Sequence, residues 1–260
     1  MKMSGNTILI TGGGSGIGRG LAEAFHSLGN RVLITGRRAA MLEAVAAANP
    51  GIEPILLDID NPAQIAAVAA QIMDRFPSLN AVIHNAGIMR NERLLDGNVA
   101  DAEAIISTNL LGPIRLTAAL LNHLVAQPAA TLMTVSSGLA FVPLALTPTY
   151  CATKAAIHSW TQSLRYQLRN TAVQVIELPP PYVQTQLMGE RQASDPMAMP
   201  LPQFISEVIA LLQSQPDATE ICVERVKMLR NAEARGNYES FFQQFNDQFF
   251  RARAEEAKNI

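Results

Sequence analysis

The sequence predicts an α/β protein: a single doubly wound parallel sheet with helices on both faces and an extra C-terminal helix. Three observations carry that reading. Short runs rich in Ile, Leu and Val alternate with longer Ala- and Leu-rich stretches of helical spacing. The short runs are apolar at nearly every position, as strands covered on both faces are, instead of alternating with polar residues. The interval between runs leaves room for a helix that crosses back over the sheet, the βαβ unit.

The strand candidates are "TILIT" (7–11), "RVLIT" (31–35), "PILLD" (54–58), "AVIHN" (81–85), "TLMTVS" (131–136) and "VQVIEL" (173–178), with "EICVE" (220–224) a weaker seventh. Segment 178–203, "LPPPYVQTQLMGERQASDPMAMPLPQ", is rich in proline and polar residues and reads as a long loop with room for a short helix. Long loops in compact domains are often lids or binding loops, so a substrate loop is expected at about 182–203. A helix is expected at 203–213. The tail 237–260 carries aromatics at 241, 242, 245, 249 and 250, the spacing of an amphipathic helix. It packs either on its own domain or on another subunit. No linker or second core interrupts the pattern, so residues 1–260 are read as one Rossmann-type domain.

Composition narrows the function. The chain has 260 residues, 48% hydrophobic and 16% charged, with a formal net charge of −2. A broad basic surface for nucleic acid is therefore not expected. Two cysteines, Cys151 and Cys222, suit a reducing, cytoplasmic setting. The N-terminal apolar run is short and ends in a glycine turn, unlike a signal peptide. No window of 18 uninterrupted apolar residues suggests a membrane span. His26, His84, His123 and His158 show no metal-ligand spacing with cysteines or acids, and no metal is expected.

The chemistry begins at "TGGGSGIG" (11–18), between the first strand and a helix. Glycine lets the backbone turn tightly and approach a pyrophosphate, and the helix N-terminus offers unpaired N–H groups to it. Gly12, Ser15, Gly16, Ile17 and Gly18 form this turn, spaced Gly12-x3-Gly16-x-Gly18. At the end of the second strand, "ITGRR" puts Gly36 where a carboxylate would bind the ribose 2′-hydroxyl of NAD. Arg37 and Arg38 follow, and a guanidinium suits a 2′-phosphate by charge and by its forked donors. NADP(H) is thus preferred over NAD(H), with Arg37 the main contact. Asp58, with Ile59 beside it, is expected at the adenine.

Five motifs occur in order: "TGGGSGIG", "NAG" (85–87), Asn109, "SSG" (136–138) and "YCATK" (150–154). In this order and spacing the chain resembles the short-chain dehydrogenase/reductase family, over at least residues 5–186. The stretch "SSGLAFVPLALTPTYCATKAAIHS" is more narrowly similar to the DltE-like oxidoreductases, a bacterial branch. The resemblance implies a catalytic tetrad of Asn109, Ser137, Tyr150 and Lys154. Ser137 is chosen over Ser136 because the family serine precedes the tyrosine by thirteen residues. It also implies that Asn85, Ala86 and Gly87 steady the sheet beside the cofactor, and that Val183 and Thr185 reach the nicotinamide. The family's Pro-Gly-x-Val-x-Thr loop reads Pro180-Pro181-Tyr182-Val183-Gln184-Thr185 here, so Pro181 replaces a glycine and brings a fixed φ and no N–H. The family's glycine-rich C-terminus is replaced by the aromatic tail. Oligomers are usual in the family, and a homodimer is expected.

These residue types suit carbonyl reduction, which needs a hydride on carbon and a proton on oxygen. A free tyrosine titrates near 10; a cationic lysine one helical turn away favours the phenolate and brings the group nearer neutrality. Ser137 would donate to the substrate oxygen as charge develops there. By the resemblance, Asn109 would hold a relay water beyond Lys154. Segments 88–98, 139–149 and 182–203 are the expected substrate walls, with Leu139, Leu144, Tyr182, Leu187 and Met188 beside Ser137 and Tyr150. The expected function is an NADPH-dependent carbonyl reductase, reversible as an alcohol dehydrogenase, for a medium-sized, largely apolar small molecule. The alternative is a non-catalytic NADP(H)-sensing regulator of the same fold.

Overall fold

In the computed structural model, which describes residues 1–252, six parallel strands form one sheet. They are β1 (Thr7–Thr11), β2 (Arg31–Gly36), β3 (Glu53–Leu56), β4 (Leu79–His84), β5 (Ala130–Val135) and β6 (Val173–Leu178), in the order β3-β2-β1-β4-β5-β6. The helices are α1 (Gly16–Ser27), α2 (Ala39–Ala48), α3 (Pro62–Arg75), α4 (Ala100–Ile106), α5 (Gly112–Val125), α6 (Pro148–Gln167), α7 (Glu190–Ser194), α8 (Leu201–Ser214), α9 (Lys227–Arg230) and α10 (Tyr238–Ala252).

β1 explains the uninterrupted apolar runs. Ile8 and Ile10 pack with Leu21 and Phe25 of α1 and Phe204 and Val208 of α8. Leu9, pointing the other way, packs with Ile65 and Ile72 of α3 and Leu116 and Leu120 of α5. Successive side chains leave opposite faces of a strand, and both faces here are roofed, so no position in β1 is left for water. The strand order reverses between β1 and β4. At such a switch point the carboxyl ends of the strands open a crevice, and the glycine turn lies there.

Several boundaries move. β3 stops at Leu56, so Asp58 lies in the turn beyond it; at this sheet edge Leu56 is half exposed. The seventh strand does not form. "EICVE" makes one isolated bridge, Glu177 with Glu220, before Glu224–Val226 turns into a short 3₁₀ helix. The loop after β6 contains α7, and α8 starts two residues earlier than expected.

The helical stretch Ala100–Val125 is long and apolar enough to cross a membrane, with mean hydropathy 1.4. Yet Leu116, Leu120 and Leu124 face the core with α3, so its apolarity serves the interior of this fold. Between α4 and α5 the helix widens into a π-helical segment, Ser107–Leu111, which holds Asn109.

Helix α10 packs on its own domain. Phe241, Phe242 and Phe245 lie against Val142, Leu229 and Ala232, and Phe245, Phe249 and Phe250 against Leu144, Leu146 and Tyr150. The rest of the expected tail, 253–260, lies outside the described residues.

Candidate active site

The glycine turn is shaped by what has no room beside it. Gly12 has φ +69°, and a Cβ there would come within 2.9 Å of the Ala86 backbone. A Cβ on Gly18 would lie 2.3 Å from Asn85 Nδ2. Asn85 Nδ2 donates to Thr11 O at 3.0 Å and to Gly12 O at 3.4 Å. Thr11 Oγ1 in turn accepts the N–H groups of Asn85 and Ala86, both at 3.0 Å. The "NAG" turn therefore clasps the glycine turn. Ser15 precedes α1 without a side-chain capping bond, and the first turn of α1 carries no acid. Its amides stay available for an anion, the arrangement a pyrophosphate requires. The cradle fits a dinucleotide.

A cleft of about 540 Å³ runs from this turn to α6. Gly12, Ser15, Gly16, Ile17, Arg37, Arg38, Ile59, Asn85, Ala86, Gly87, Ser137, Leu139, Leu144, Tyr150, Lys154, Tyr182, Val183, Thr185, Leu187 and Met188 all line it. Gly18, Asp58 and Asn109 stand behind the wall. Gly18 seats α1 against Asn85. Asp58 Oδ1 accepts Asp60 N at 3.1 Å, and Asp58 N donates to Gln64 Oε1 at 2.6 Å, so Asp58 shapes its own turn. Arg37 reaches towards Asp60 at 3.8 Å and stays half exposed. Arg38 donates to Ser15 Oγ at 3.4 Å. Of the remaining expected wall, Val142 and Leu146 are buried among the loops, Phe141 faces a separate small cavity, and Met199 joins the core.

At the other end of the cleft, Tyr150 and Lys154 project from one face of α6, and both are buried. Of the two serines, Ser137 meets the Tyr150 hydroxyl, whereas Ser136 Oγ donates to Glu177 Oε1 at 2.5 Å. Lys154 Nζ donates to Val135 O at 2.8 Å and lies 5.6 Å from the centre of the Tyr150 ring. Burial raises the Tyr150 phenol above its ordinary range, and the Ser137 hydrogen bond opposes this only in part. Desolvation is the largest cause of that rise, and Cys151 adds to it. Burial also brings Lys154 down to about 8, with Glu177 opposing. The pocket's own groups leave Tyr150 a neutral phenol.

Asn109 works as a brace. Its Oδ1 accepts Ile88 N at 2.9 Å, and its Nδ2 donates to Ile88 O at 2.9 Å and Thr153 Oγ1 at 3.2 Å. It ties the segment after β4 to α6, and its side-chain amide is committed to these protein partners. Cys151, between Tyr150 and Lys154, is a packed side chain whose Sγ accepts Leu144 N at 3.3 Å.

The structure adds residues that sequence reasoning did not assign. Phe245 and Phe249 of α10 line the cleft with Ile88, Met89 and Leu229, and Phe249 meets the Tyr182 ring edge-on at 6.1 Å. The aromatic spacing of the tail signalled a buried face without saying which surface it covers. Asn246 staples α10 to the loop before α6: Oδ1 accepts Ala145 N at 2.7 Å, and Nδ2 donates to Pro143 O at 3.1 Å. Gln192 of α7 donates to Val183 O at 2.9 Å and Thr185 Oγ1 at 3.1 Å. Glu92 accepts Thr149 N and Oγ1 at 3.0 and 2.6 Å, capping the first turn of α6. Single polar residues that each serve one specific partner leave no periodic signal.

A doubly wound sheet with a dinucleotide cradle and a Ser-Tyr-Lys group at its switch point defines a class of oxidoreductase. The family model described as short chain dehydrogenase matches residues 6–196, and the chain belongs to that family. It is 38% identical over 259 residues to the uncharacterised oxidoreductase DltE of Bacillus subtilis (strain 168), spanning 95% of this chain and 99% of that one. A short chain dehydrogenase from Burkholderia cenocepacia J2315, solved in complex with NADP, superposes with a TM-score of 0.79 at 25% identity, covering 93% of this chain and 99% of the other. A 3-ketoacyl-(acyl-carrier-protein) reductase from Brucella melitensis, complexed with NADH, shares the fold with a TM-score of 0.77 at 24% identity, covering 86% and 100%.

The Asn246 staple is testable. Asn246→Ala removes its contacts with the 143–145 loop and is expected to cost roughly 1–3 kcal/mol in denaturant unfolding, the range for leaving buried partners unsatisfied. Hydrogen exchange at Ala145 and along α10 should rise; unchanged exchange at both would show that the aromatic contacts alone hold the helix.

Proposed function

We propose that this oxidoreductase is an NADPH-dependent carbonyl reductase, working in reverse as an alcohol dehydrogenase, on a medium-sized, largely apolar ketone, aldehyde or alcohol. The observation that carries this reading is a single cleft with the glycine cradle at one end and Ser137, Tyr150 and Lys154 at the other. Gly12, Ser15, Gly16 and Ile17 would hold the pyrophosphate, Arg37 and Arg38 the 2′-phosphate, and Val183 and Thr185 the nicotinamide end. When bound, the cofactor supplies the hydride. The protein's share is the proton and the charge. Ser137 donates a hydrogen bond to the carbonyl oxygen as negative charge grows there. Tyr150 delivers its proton to that oxygen, and Lys154, one turn further on, favours the phenolate left behind. Asn109 and Glu92 hold the frame of α6.

The walls support an apolar substrate. Ile88, Met89, Leu139, Leu144, Phe245 and Phe249 surround the approach to Tyr150. Arg90 is engaged by Asp101, which leaves it poorly placed to recruit a substrate carboxylate. A homodimer is part of the proposal: Leu94, Leu95 and Val99 are 74, 87 and 60% exposed beside half-exposed Ile106 and Leu111, more apolar surface than one short segment usually leaves in water.

Three experiments check the proposal. Tyr150→Phe should bind NADPH yet lose about 10²–10⁴-fold in turnover against the best compound of a ketone and aldehyde panel; near-normal turnover would remove Tyr150 as the proton donor. Arg37→Ala should lower the NADPH-over-NADH ratio of kcat/KM about tenfold or more, as losing a charge-assisted bond of roughly 1.5–3 kcal/mol implies. An unchanged ratio would assign cofactor choice elsewhere. Light scattering should give a dimer mass; a monomer mass independent of concentration would rule the dimer out.

A further inference from the structure

The polar face of α6 does not end at the presumed reaction site. Tyr150 and Lys154 are followed four residues on by His158 and then by Gln162, a continuous i, i+4 row. Facing this row from β6 is Glu177, which is 1% exposed. Both its oxygens are fixed: Oε1 accepts Ser136 Oγ at 2.5 Å, and Oε2 lies 2.8 Å from His158 Nδ1. Nε2 of His158 meets Gln162 Nε2 at 2.8 Å, and its ring packs edge-on to Phe141 at 4.8 Å. His158 also lines a second cavity of about 290 Å³ with Ala140, Phe141 and Arg230.

A buried carboxylate is costly to hold unless it is paired and hydrogen-bonded, and its place here calls for a reason. Lys154 supplies one. Its ammonium is buried and donates to Val135 O, a neutral acceptor one residue before Ser136. The charged and titratable groups around Glu177 are Lys154 and His158 of α6, Glu220 and Cys222 of the crossing segment, and Arg230 of α9. Glu220 is paired with Arg230 at 2.7 Å, and Cys222 is a half-buried thiol with its titration pushed up, chiefly by desolvation. That leaves Glu177 as the anion facing Lys154. We propose that Glu177, clamped by Ser136 and His158, is the built-in counter-charge that keeps Lys154 cationic beside Tyr150. Glu177 is then a positioning residue for the proposed reaction, acting through Lys154, and His158 carries its hydrogen-bond network to the second cavity. The inference rests on reading Lys154 as the partner of Tyr150.

The test reads Lys154 directly. Lysine side-chain ¹⁵N NMR of the full chain, with the signal assigned by its loss in Lys154→Arg, follows the ammonium through a pH titration. Glu177→Gln keeps the shape and hydrogen-bonding capacity but removes the charge. Without an opposite charge the neutral amine is favoured, so the Lys154 midpoint should fall by about one pH unit or more, and Glu177→Asp should move it back. Ser136→Ala, a smaller lesion that frees one carboxylate oxygen, should shift it the same way by less, and it carries the test if Glu177→Gln does not fold. The alkaline limb of the pH–rate profile for the best panel carbonyl compound should move down in step. An unmoved midpoint in Glu177→Gln, or in Ser136→Ala where that variant carries the test, overturns the inference, even if Tyr150-dependent reduction is found and the functional reading stands. A lowered midpoint with no carbonyl compound reduced supports the counter-charge and overturns the functional reading instead.

Discussion

The structure depends on a close approach of two backbones at the switch point of the sheet. The turn after β1 and the turn after β4 lie against each other so tightly that a side chain on Gly12 or Gly18 would strike Ala86 or Asn85. Thr11 and Asn85 exchange hydrogen bonds across that contact. Everything downstream takes its place from this clasp. It aims the first turn of α1 into the cleft with its amides free, and it sets where the segment after Gly87 begins. Asn109 then holds that segment through both polar groups of Ile88 and passes its position to α6 through Thr153. A chain of short hydrogen bonds thus links the phosphate cradle to the helix that carries Tyr150.

That chain explains what was legible beforehand. The sheet could be read because strands roofed on both faces must be apolar throughout, and all six read within two residues at each end. β3 ends two residues before the run "PILLD" does, since at the sheet's edge Leu56 is half exposed and apolarity no longer marks the strand's end. "EICVE" carries a strand's composition, but only Glu220 pairs with β6 before the chain turns away. The glycines, Tyr150 and Lys154 were legible because their backbone or spacing demands are local. Asp58 carries a local demand of another kind, since its carboxylate accepts Asp60 N within its own turn. Glu92 and Asn246 act across long sequence separations and Gln192 across a loop, each as a single polar residue that no period marks.

The electrostatics of the site follow from how dry it is. Tyr150 and Lys154 are both buried, and burial favours the neutral form of each, raising the phenol and lowering the amine. A tyrosine that titrates at about 10 is already protonated at neutral pH, so the first effect makes the phenol a weaker acid and leaves more for Lys154 to offset. A lysine that must remain a cation is harmed by the second. Opposite charge is the one remedy that does not readmit water, and Glu177 stands where it can act without entering the cleft. Its separation from Tyr150 also matters, because an anion beside the phenol would oppose formation of the phenolate.

Helix α10 completes that logic. Its aromatic face covers Leu144 and Tyr150 from above, while Asn246 fixes it to the loop that leads into α6. The same side chains that make an apolar approach for a substrate keep solvent from the Ser137–Tyr150–Lys154 row. Screening by water weakens charge interactions, and its exclusion strengthens them. Substrate preference and the strength of the lysine's influence on the tyrosine are therefore coupled through one helix. Loosening it would admit water to the row and, in the same step, relax the desolvation that raises Tyr150 and lowers Lys154. The aromatic helix thus shapes the medium around the Ser137–Tyr150–Lys154 row as much as the walls of the cleft.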